Sequence, residues 1–336
     1  MRIALVTDAW KPQVNGVVRT LSRVVEGVRD LGHEPLVVAP DTFRTVPCPT
    51  YSEIRLALWP FGGVRRMLDD FAPEAIHIAT EGPLGLAARR YCLRKGLPFT
   101  TSYHTRFPEY VTARTKLPVA WGYAAQRHFH KPAERIMVTT PTLEQEMIAR
   151  RFPPPVIWSR GVDTDLFRPR ETDLLDHLPR PIFTYVGRVA VEKNLEAFLD
   201  LDLPGSKVII GDGPQRGALE SRYPGVQFLG KKYGEDLAAH YAASDVFVFP
   251  SKTDTFGLVL LEALASGLPV AAYPVPGPKD VLNGHPVGVL DHDLKAAAEA
   301  AAEIPAERCR DYALGFSWTN CAREFLGYLT PIRAAV

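Results

Sequence analysis

Apolar runs and helically spaced apolar positions alternate along the chain, and each change of period marks a predicted element. Arg2 to Asp8 (RIALVTD) is apolar almost throughout, as a strand covered on both faces must be. The loop AWKPQVNG follows, and a helical pattern runs from Val17 to Leu31 until Gly32 stops it. Strand, glycine-containing loop and helix form the opening unit of a doubly wound α/β sheet. Further strands are predicted at Pro35 to Ala39, Ala75 to Ile78, Phe99 to Tyr103, Ile136 to Thr139 and Val156 to Trp158. Helices are predicted at Leu84 to Lys95 and Leu143 to Arg151. RGVDTDLFRPR is a turn-rich connector, after which the alternation starts again. IFTYVGRV and KVII are strands and EKNLEAFLDL a helix. Arg216 to Tyr223 and Gly234 to Ser244 are helices; Val226 to Leu229, Val246 to Pro250 and Pro269 to Tyr273 are strands. An amphipathic helix, Trp318 to Leu329, closes the chain.

Two βαβ series in 336 residues predict two domains, because one core rarely grows to that size. The expected boundaries are 1–165, 166–316 and a tail at 317–336. With 46% hydrophobic and 23% charged residues the composition is that of a globular protein, and a net charge of +1 gives no case for nucleic acid. Cys48, Cys92, Cys309 and Cys321 lie far apart without zinc-like spacing, which predicts thiols in a reducing compartment. Met1 leads directly into a strand with no apolar leader, and no run of about 18 uncharged apolar residues occurs. The expected location is the cytoplasm.

The stretch Lys252 to Val270 (KTDTFGLVLLEALASGLPV) draws most attention. Asp254 or Thr255 is placed to cap a helix whose first turn contains Gly257, and a helix start is an anion site. Glu262 follows eight positions after Asp254, about 12 Å along a helix, the reach of a sugar diphosphate with a ribose. An amphipathic helix with a capping Asp and a solvated Glu accounts for the same spacing. Arg188 and Lys193 flank the end of IFTYVG and suit one shared anion. Asn15, Gly16, Glu81 and His104 all fall just beyond predicted strand ends, where ligands of open α/β sheets bind. His104, among Tyr103, Thr105 and Arg106, suits a polar pocket that holds a sugar hydroxyl. Gly211, Gly213 and Gly217 imitate a dinucleotide fingerprint with the wrong spacing and no acid for a ribose, so a tight turn is expected. Phe107 to Lys131 interleaves Tyr110, Trp121 and Tyr123 with Arg106, Arg114, Lys116 and Arg127. That mixture suits an anionic lipid surface, and equally a pair of helices with solvated cations.

The pieces DAWKPQVNGVVRT, SYHTRFPEY, RGVDTDLF-RP, VGRVAVEKNLE, IIGDGP and TDTFGLVLLEALASGLPV together resemble retaining glycosyltransferases of family 4. The family's paired acids, E-x7-E, correspond here to Asp254 and Glu262, the first being the shorter carboxylate. The SYHT and VEKNL segments are most similar to lipid-directed members: sulfolipid synthases, lipid mannosyltransferases and diacylglycerol glycosyltransferases.

The resemblance implies an α/β GT-B fold, two Rossmann-like doubly wound domains facing a central cleft, with the tail helix crossing back to the first. It also implies roles. Gly16 approaches the diphosphate, and Arg188 and Lys193 hold it. Asp254 with the N–H groups of Phe256, Gly257 and Leu258 holds sugar and phosphate, Glu262 binds the ribose, and His104 contacts the transferred sugar. The base stacks around Gly230 to Leu237. Arg106, Tyr110, Arg114, Lys116, Trp121 and Arg127 face the acceptor and membrane. The implied reaction moves a hexose or uronic acid from a nucleotide sugar, UDP-linked rather than GDP-mannose, to a membrane lipid such as diacylglycerol at the inner face of the plasma membrane. No metal or other cofactor is expected, and DTD at 163–165 lies in the connector. A polysaccharide or small sugar is the alternative acceptor, and a nucleotide-sugar epimerase the alternative class.

Overall fold

The computed structural model describes residues 1–13, 15–48, 51–109, 112, 118–254 and 256–332. The chain divides into two compact units, one of Met1–Arg160 with Trp318–Val336 and one of Gly161–Ser317.

In chain order the first unit runs β1 (Arg2–Val6), α1 (Gly16–Asp30), β2 (Glu34–Val38), β3 (Thr45–Cys48), β4 (Tyr51–Ala57), α2 (Phe61–Phe71) and β5 (Ala75–Ile78). It continues through α3 (Pro83–Lys95), β6 (Thr100–Ser102), α4 (Val119–His130), β7 (Arg135–Val138), α5 (Pro141–Ala149) and β8 (Pro155–Ile157). Its sheet is parallel, in the order β2-β1-β5-β6-β7-β8, while β3 and β4 pair as a separate antiparallel hairpin. The Asn15 side chain caps α1 by accepting from Val18 N at 3.0 Å. Leu21, Val24, Val25 and Val28 of α1 are buried at helical spacing against the sheet.

The second unit runs β9 (Ile182–Val186), α6 (Glu196–Leu199), β10 (Ser206–Ile210), α7 (Arg216–Arg222), β11 (Gln227–Gly230), α8 (Gly234–Ala242) and β12 (Val246–Phe249). Then come α9 (Leu258–Ala265), β13 (Val270–Ala272), α10 (Pro276–Leu282), β14 (Gly288–Leu290), α11 (Leu294–Ala301) and α12 (Ala306–Ala313). Its parallel order, β11-β10-β9-β12-β13-β14, is that of a dinucleotide-type Rossmann sheet, with the topological switch point between β9 and β12. In the first sheet the switch lies between β1 and β5.

The last helix, α13 (Trp318–Tyr328), packs on α1 of the first unit. Gly27 permits the approach, since a Cβ there would stand 2.7 Å from that of Ala322. Trp158 donates its indole N–H to Cys321 O at 3.0 Å, and Glu324 accepts from Ser159 N and Oγ at 2.8 and 2.6 Å.

One expected helix is largely absent. EKNLEAFLDL is a 3₁₀ turn, Val191–Lys193, followed by the single turn of α6. Asn194 interrupts it with φ of 54° and gives its side-chain amide to Pro250 O at 3.1 Å. The hairpin β3–β4, α2 and the run from α10 to α12 carried no sequence expectation. Pro47, Gly62 and Gly63 break the periodicity in the first two, and α11 is mostly alanine.

Candidate functional site

The switch point of the second sheet brings two of the expected residues into contact. Lys193 Nζ donates to Asp254 Oδ1 at 2.5 Å, and both side chains are less than a fifth exposed. Two more bonds tie the same loops: Asn194 to Pro250 O at 3.1 Å and Thr253 Oγ1 to Glu192 O at 3.3 Å. The second oxygen of Asp254, Oδ2, is buried with no hydrogen-bond partner among the described residues, as is the hydroxyl of Ser251 in the same loop. A buried acceptor left unmade costs about 1–3 kcal/mol, so such an orphan at a ligand crevice calls for a donor from outside the chain. Arg188 follows β9 in the same loop, half-buried, and its carbonyl accepts from Tyr185 OH at 3.0 Å.

The helix after Asp254 starts later than its sequence suggests. The N-cap of α9 is Gly257, with φ of 88°, and no side chain caps it. That left-handed turn is accessible to glycine at little cost, so Asp254 is released from capping to pair with Lys193. Thr255 lies outside the described residues. Only Leu258 to Glu262 is helical, about 6 Å of rise rather than 12. Glu262 is not a solvated surface acid. It is 3% exposed, and Tyr241 OH donates to its Oε2 at 3.1 Å.

The glycines that imitate a dinucleotide fingerprint pack loop on loop. A Cβ on Gly211 would overlap Gly187 O, and one on Gly213 would overlap Val189 O. Gly217 has open space beside it. The loops after β9 and β10 therefore lie against each other, which is the tight turn the spacing predicts.

In the first unit, His104 belongs to a chain of hydrogen bonds that starts inside the sheet. Thr100 Oγ1 lies 2.9 Å from His77 Nδ1, His77 Nε2 lies 3.1 Å from Ser102 Oγ, and Ser102 Oγ lies 2.8 Å from His104 Nε2. Ser102 has one proton to give, and His104 is nearer than the other acceptor, Ala79 O at 3.4 Å. His77 then donates from Nε2 and accepts from Thr100 on Nδ1, and neutral His104 carries its proton on Nδ1. Both rings are neutral. Burial pushes His77 down to about 3, and burial with the nearby Arg160 cation holds His104 well below the usual imidazole range. His104 is thus a neutral ring just beyond the end of β6.

Asp8, at the end of β1, had no sequence expectation. Its carboxylate accepts from Leu84 N at 2.9 Å, Gly85 N at 3.3 Å and Thr80 Oγ1 at 2.9 Å, so it caps α3 from a distant strand. Gly82 is needed there because a Cβ would overlap the carboxylate. Burial raises the Asp8 carboxyl despite these bonds. Gly16 is the first residue of α1, exposed behind its Asn15 cap. Asp8 was readable by the strand-end argument that selects Glu81 and His104, and His77 as a lone polar residue in the apolar strand AIHI.

The basic and aromatic stretch divides. Arg106 turns inward, pairing with Glu146 at 2.6 Å and Glu109 at 3.4 Å, which removes it from any lipid-facing surface. Tyr123, Phe129 and His130 are buried, with His130 Nδ1 2.9 Å from Thr101 Oγ1 and Nε2 3.2 Å from Glu81 Oε1. Trp121 and Arg127 are exposed. Tyr110, Arg114 and Lys116 lie outside the described residues.

Comparison with known proteins agrees with these two sheets. The family model described as Glycosyltransferase Family 4 matches residues 14–166, and that described as Glycosyl transferases group 1 matches 180–306. A GDP-mannose-dependent alpha-mannosyltransferase of Mycobacterium tuberculosis is 34% identical over 99% of this chain and 97% of its own length. An alpha-monoglucosyldiacylglycerol synthase of Acholeplasma laidlawii is 27% identical over 80% of this chain and 79% of its own. Among solved structures, a sucrose-phosphate synthase of Thermosynechococcus elongatus superposes with a TM-score of 0.79 at 21% identity, covering 97% of each chain, which bears on the fold. Two Rossmann-like parallel-sheet units, two matching family models and a relative similar from end to end lead to one conclusion: the chain belongs to glycosyltransferase family 4, has the GT-B fold and is a hexosyltransferase.

Proposed function

We propose that the protein is a retaining transferase that moves mannose from GDP-mannose to a membrane lipid such as diacylglycerol. The observation that carries the donor site is the orphaned, buried Asp254 Oδ2 beside Lys193 at the β9/β12 switch point. A hydroxyl of the donor sugar supplies the missing bond. The diphosphate is held by Arg188, Lys193 and the N–H groups of Phe256, Gly257 and Leu258, and Glu262 turns to the ribose. Negative charge grows on the leaving phosphate, and preorganised cations and N–H groups at developing charge supply the largest catalytic term without a metal. The departing phosphate takes the acceptor proton on the face it leaves, which retains the anomeric configuration. On the first unit, Gly16 leaves room for phosphate and His104 contacts the transferred sugar.

GDP-mannose replaces the UDP-sugar favoured on sequence because the Mycobacterium tuberculosis relative, 34% identical, bears that donor in its name. The lipid acceptor is supported by the diacylglycerol in the name of the Acholeplasma relative. A UDP-hexose with the same acceptor is the second reading, favoured by that same relative's glucosyl product name. The test is a panel of GDP- and UDP-sugars with diacylglycerol vesicles, read by lipid mass and by the anomeric proton coupling of the product. Mannosyl-diacylglycerol of retained configuration is expected. Product formed only without a lipid, or only on a polysaccharide, sinks the acceptor assignment.

A further inference from the structure

We propose that Glu146 of α5, acting through Arg106, is a positioning residue for sugar transfer: it fixes the loop after β6 that carries His104. The proposal deepens the proposed function, since it rests on His104 contacting the transferred sugar. The loop is tied on both sides of His104. One residue before it, Tyr103 N donates to Met137 O of β7 at 2.9 Å. Two residues after it, the Arg106 guanidinium forks onto Glu146, from Nη1 to Oε1 at 3.2 Å and from Nη2 to Oε2 at 2.6 Å. Further along the loop, Glu109 Oε1 accepts from Tyr123 OH of α4 and lies 3.4 Å from Arg106 Nη1. Tyr123 OH is also 3.1 Å from Glu146 Oε1, so one carboxylate gathers the loop, α4 and α5.

Two arginines meet Glu146, and they do different things. Arg150, one turn on, reaches its Oε1 at 2.9 Å from a side chain 39% exposed. A pair of that spacing supports the end of its own helix. Arg106 reaches the same acid across 40 residues, with its side chain 15% exposed and that of Glu146 19% exposed. Water and salt screen such a pair little. Burial alone would raise the Glu146 carboxyl, but the bonds from Arg106, Arg150 and Tyr123 outweigh it and hold it below the usual carboxylate range. A guanidinium fork sets direction as well as distance, which a point charge does not. The stretch that this fork orients is the His104 loop. Where a group meets a reacting centre, a displacement of about 1 Å can cost about 10²-fold in rate.

The test compares variants of the full chain in mannosyl transfer from GDP-mannose to diacylglycerol vesicles, each assayed well below its unfolding midpoint. Arg106→Lys keeps the charge and loses the fork, and should lower kcat about tenfold or more. In a His104→Ala background the same change should cost no further kcat, because a residue that acts through His104 has nothing left to position. Arg150→Ala removes only the bond within α5 and its end, and should leave kcat at the parental value. A second readout needs no turnover. In histidine-labelled protein, the His104 ring signals, assigned by their loss in His104→Ala, should shift in Arg106→Lys and in Glu146→Gln, while those of His77 stay. Should Glu146→Gln fail to fold, Arg106→Lys carries the test. Parental kcat in Arg106→Lys overturns the proposal, as do losses that add in the His104→Ala background, an equal loss in Arg150→Ala or an unmoved His104 signal. Absence of mannosyl transfer in the parent removes the donor and acceptor assignment, and the histidine signals still decide whether the fork sets His104.

Discussion

Asp8 follows the first strand of one sheet, Asp254 follows the fourth strand of the other, and both carboxylates are largely withdrawn from water. Asp8 is finished by the chain itself: two backbone N–H groups of α3 and the Thr80 hydroxyl satisfy it. Asp254 is paired with Lys193 on one side, and its other oxygen has no partner among the described residues. The same residue type at the same kind of place therefore has two surroundings. Where a helix start supplies the donors, the acid is satisfied by the chain. Where a left-handed glycine delays the helix, one oxygen keeps no partner among the described residues, and the proposed function gives it a ligand.

Breaking the open acid should give the largest effect. Asp254→Ala should lower kcat/KM with GDP-mannose by about 10²–10³-fold, with a thermal midpoint close to the parent's; an equal loss in Asp8→Ala at full folding would erase the contrast. Asp8→Ala should instead cost stability, about 2–4 kcal/mol by urea unfolding, because two helix N–H groups and a hydroxyl lose their acceptor. The histidine chain sharpens the contrast through pH. His77 and His104 are neutral when folded and protonate near 6.5 when unfolded. Stability is thus fully present above 6.5 and falls as pH drops towards 5, by up to about 1.4 kcal/mol per pH unit for each ring. His77→Gln should flatten that slope, and an unchanged slope would refute the neutral-ring assignment. Ser102→Ala should reduce kcat about two- to tenfold, the worth of one neutral hydrogen bond, and Ser102→Thr should restore it. The smallest effect expected is none: dialysis against EDTA should leave transfer unchanged, since the charge is met by Arg188, Lys193 and the helix start.

Much of this was legible in the sequence because buried parallel strands and amphipathic helices have strong periods. The strands of both sheets other than β14, together with α1, α3 and the tail helix, fall within a few residues of where the pattern puts them. The placing of Asp254, Lys193 and His104 in loops after strands was legible, because buried strands read clearly and their ends can be located. What escaped depended on contacts between distant residues. Asp8 is a cap for a helix 76 positions away, and no local pattern records that. Asn194 breaks a helix that its propensities allow because its amide has a partner at Pro250. Arg106 reads as one of a row of surface cations, yet Glu146, 40 positions on, draws it inward.

The most direct test is calorimetric titration of GDP-mannose into the parent, Asp254→Ala and Asp8→Asn proteins. The account predicts saturable binding in the parent, retained affinity in Asp8→Asn at lower stability, and at least about a tenfold loss in Asp254→Ala, the worth of one bond to a charged acceptor, at parental stability. Equal affinity in the parent and Asp254→Ala would contradict it.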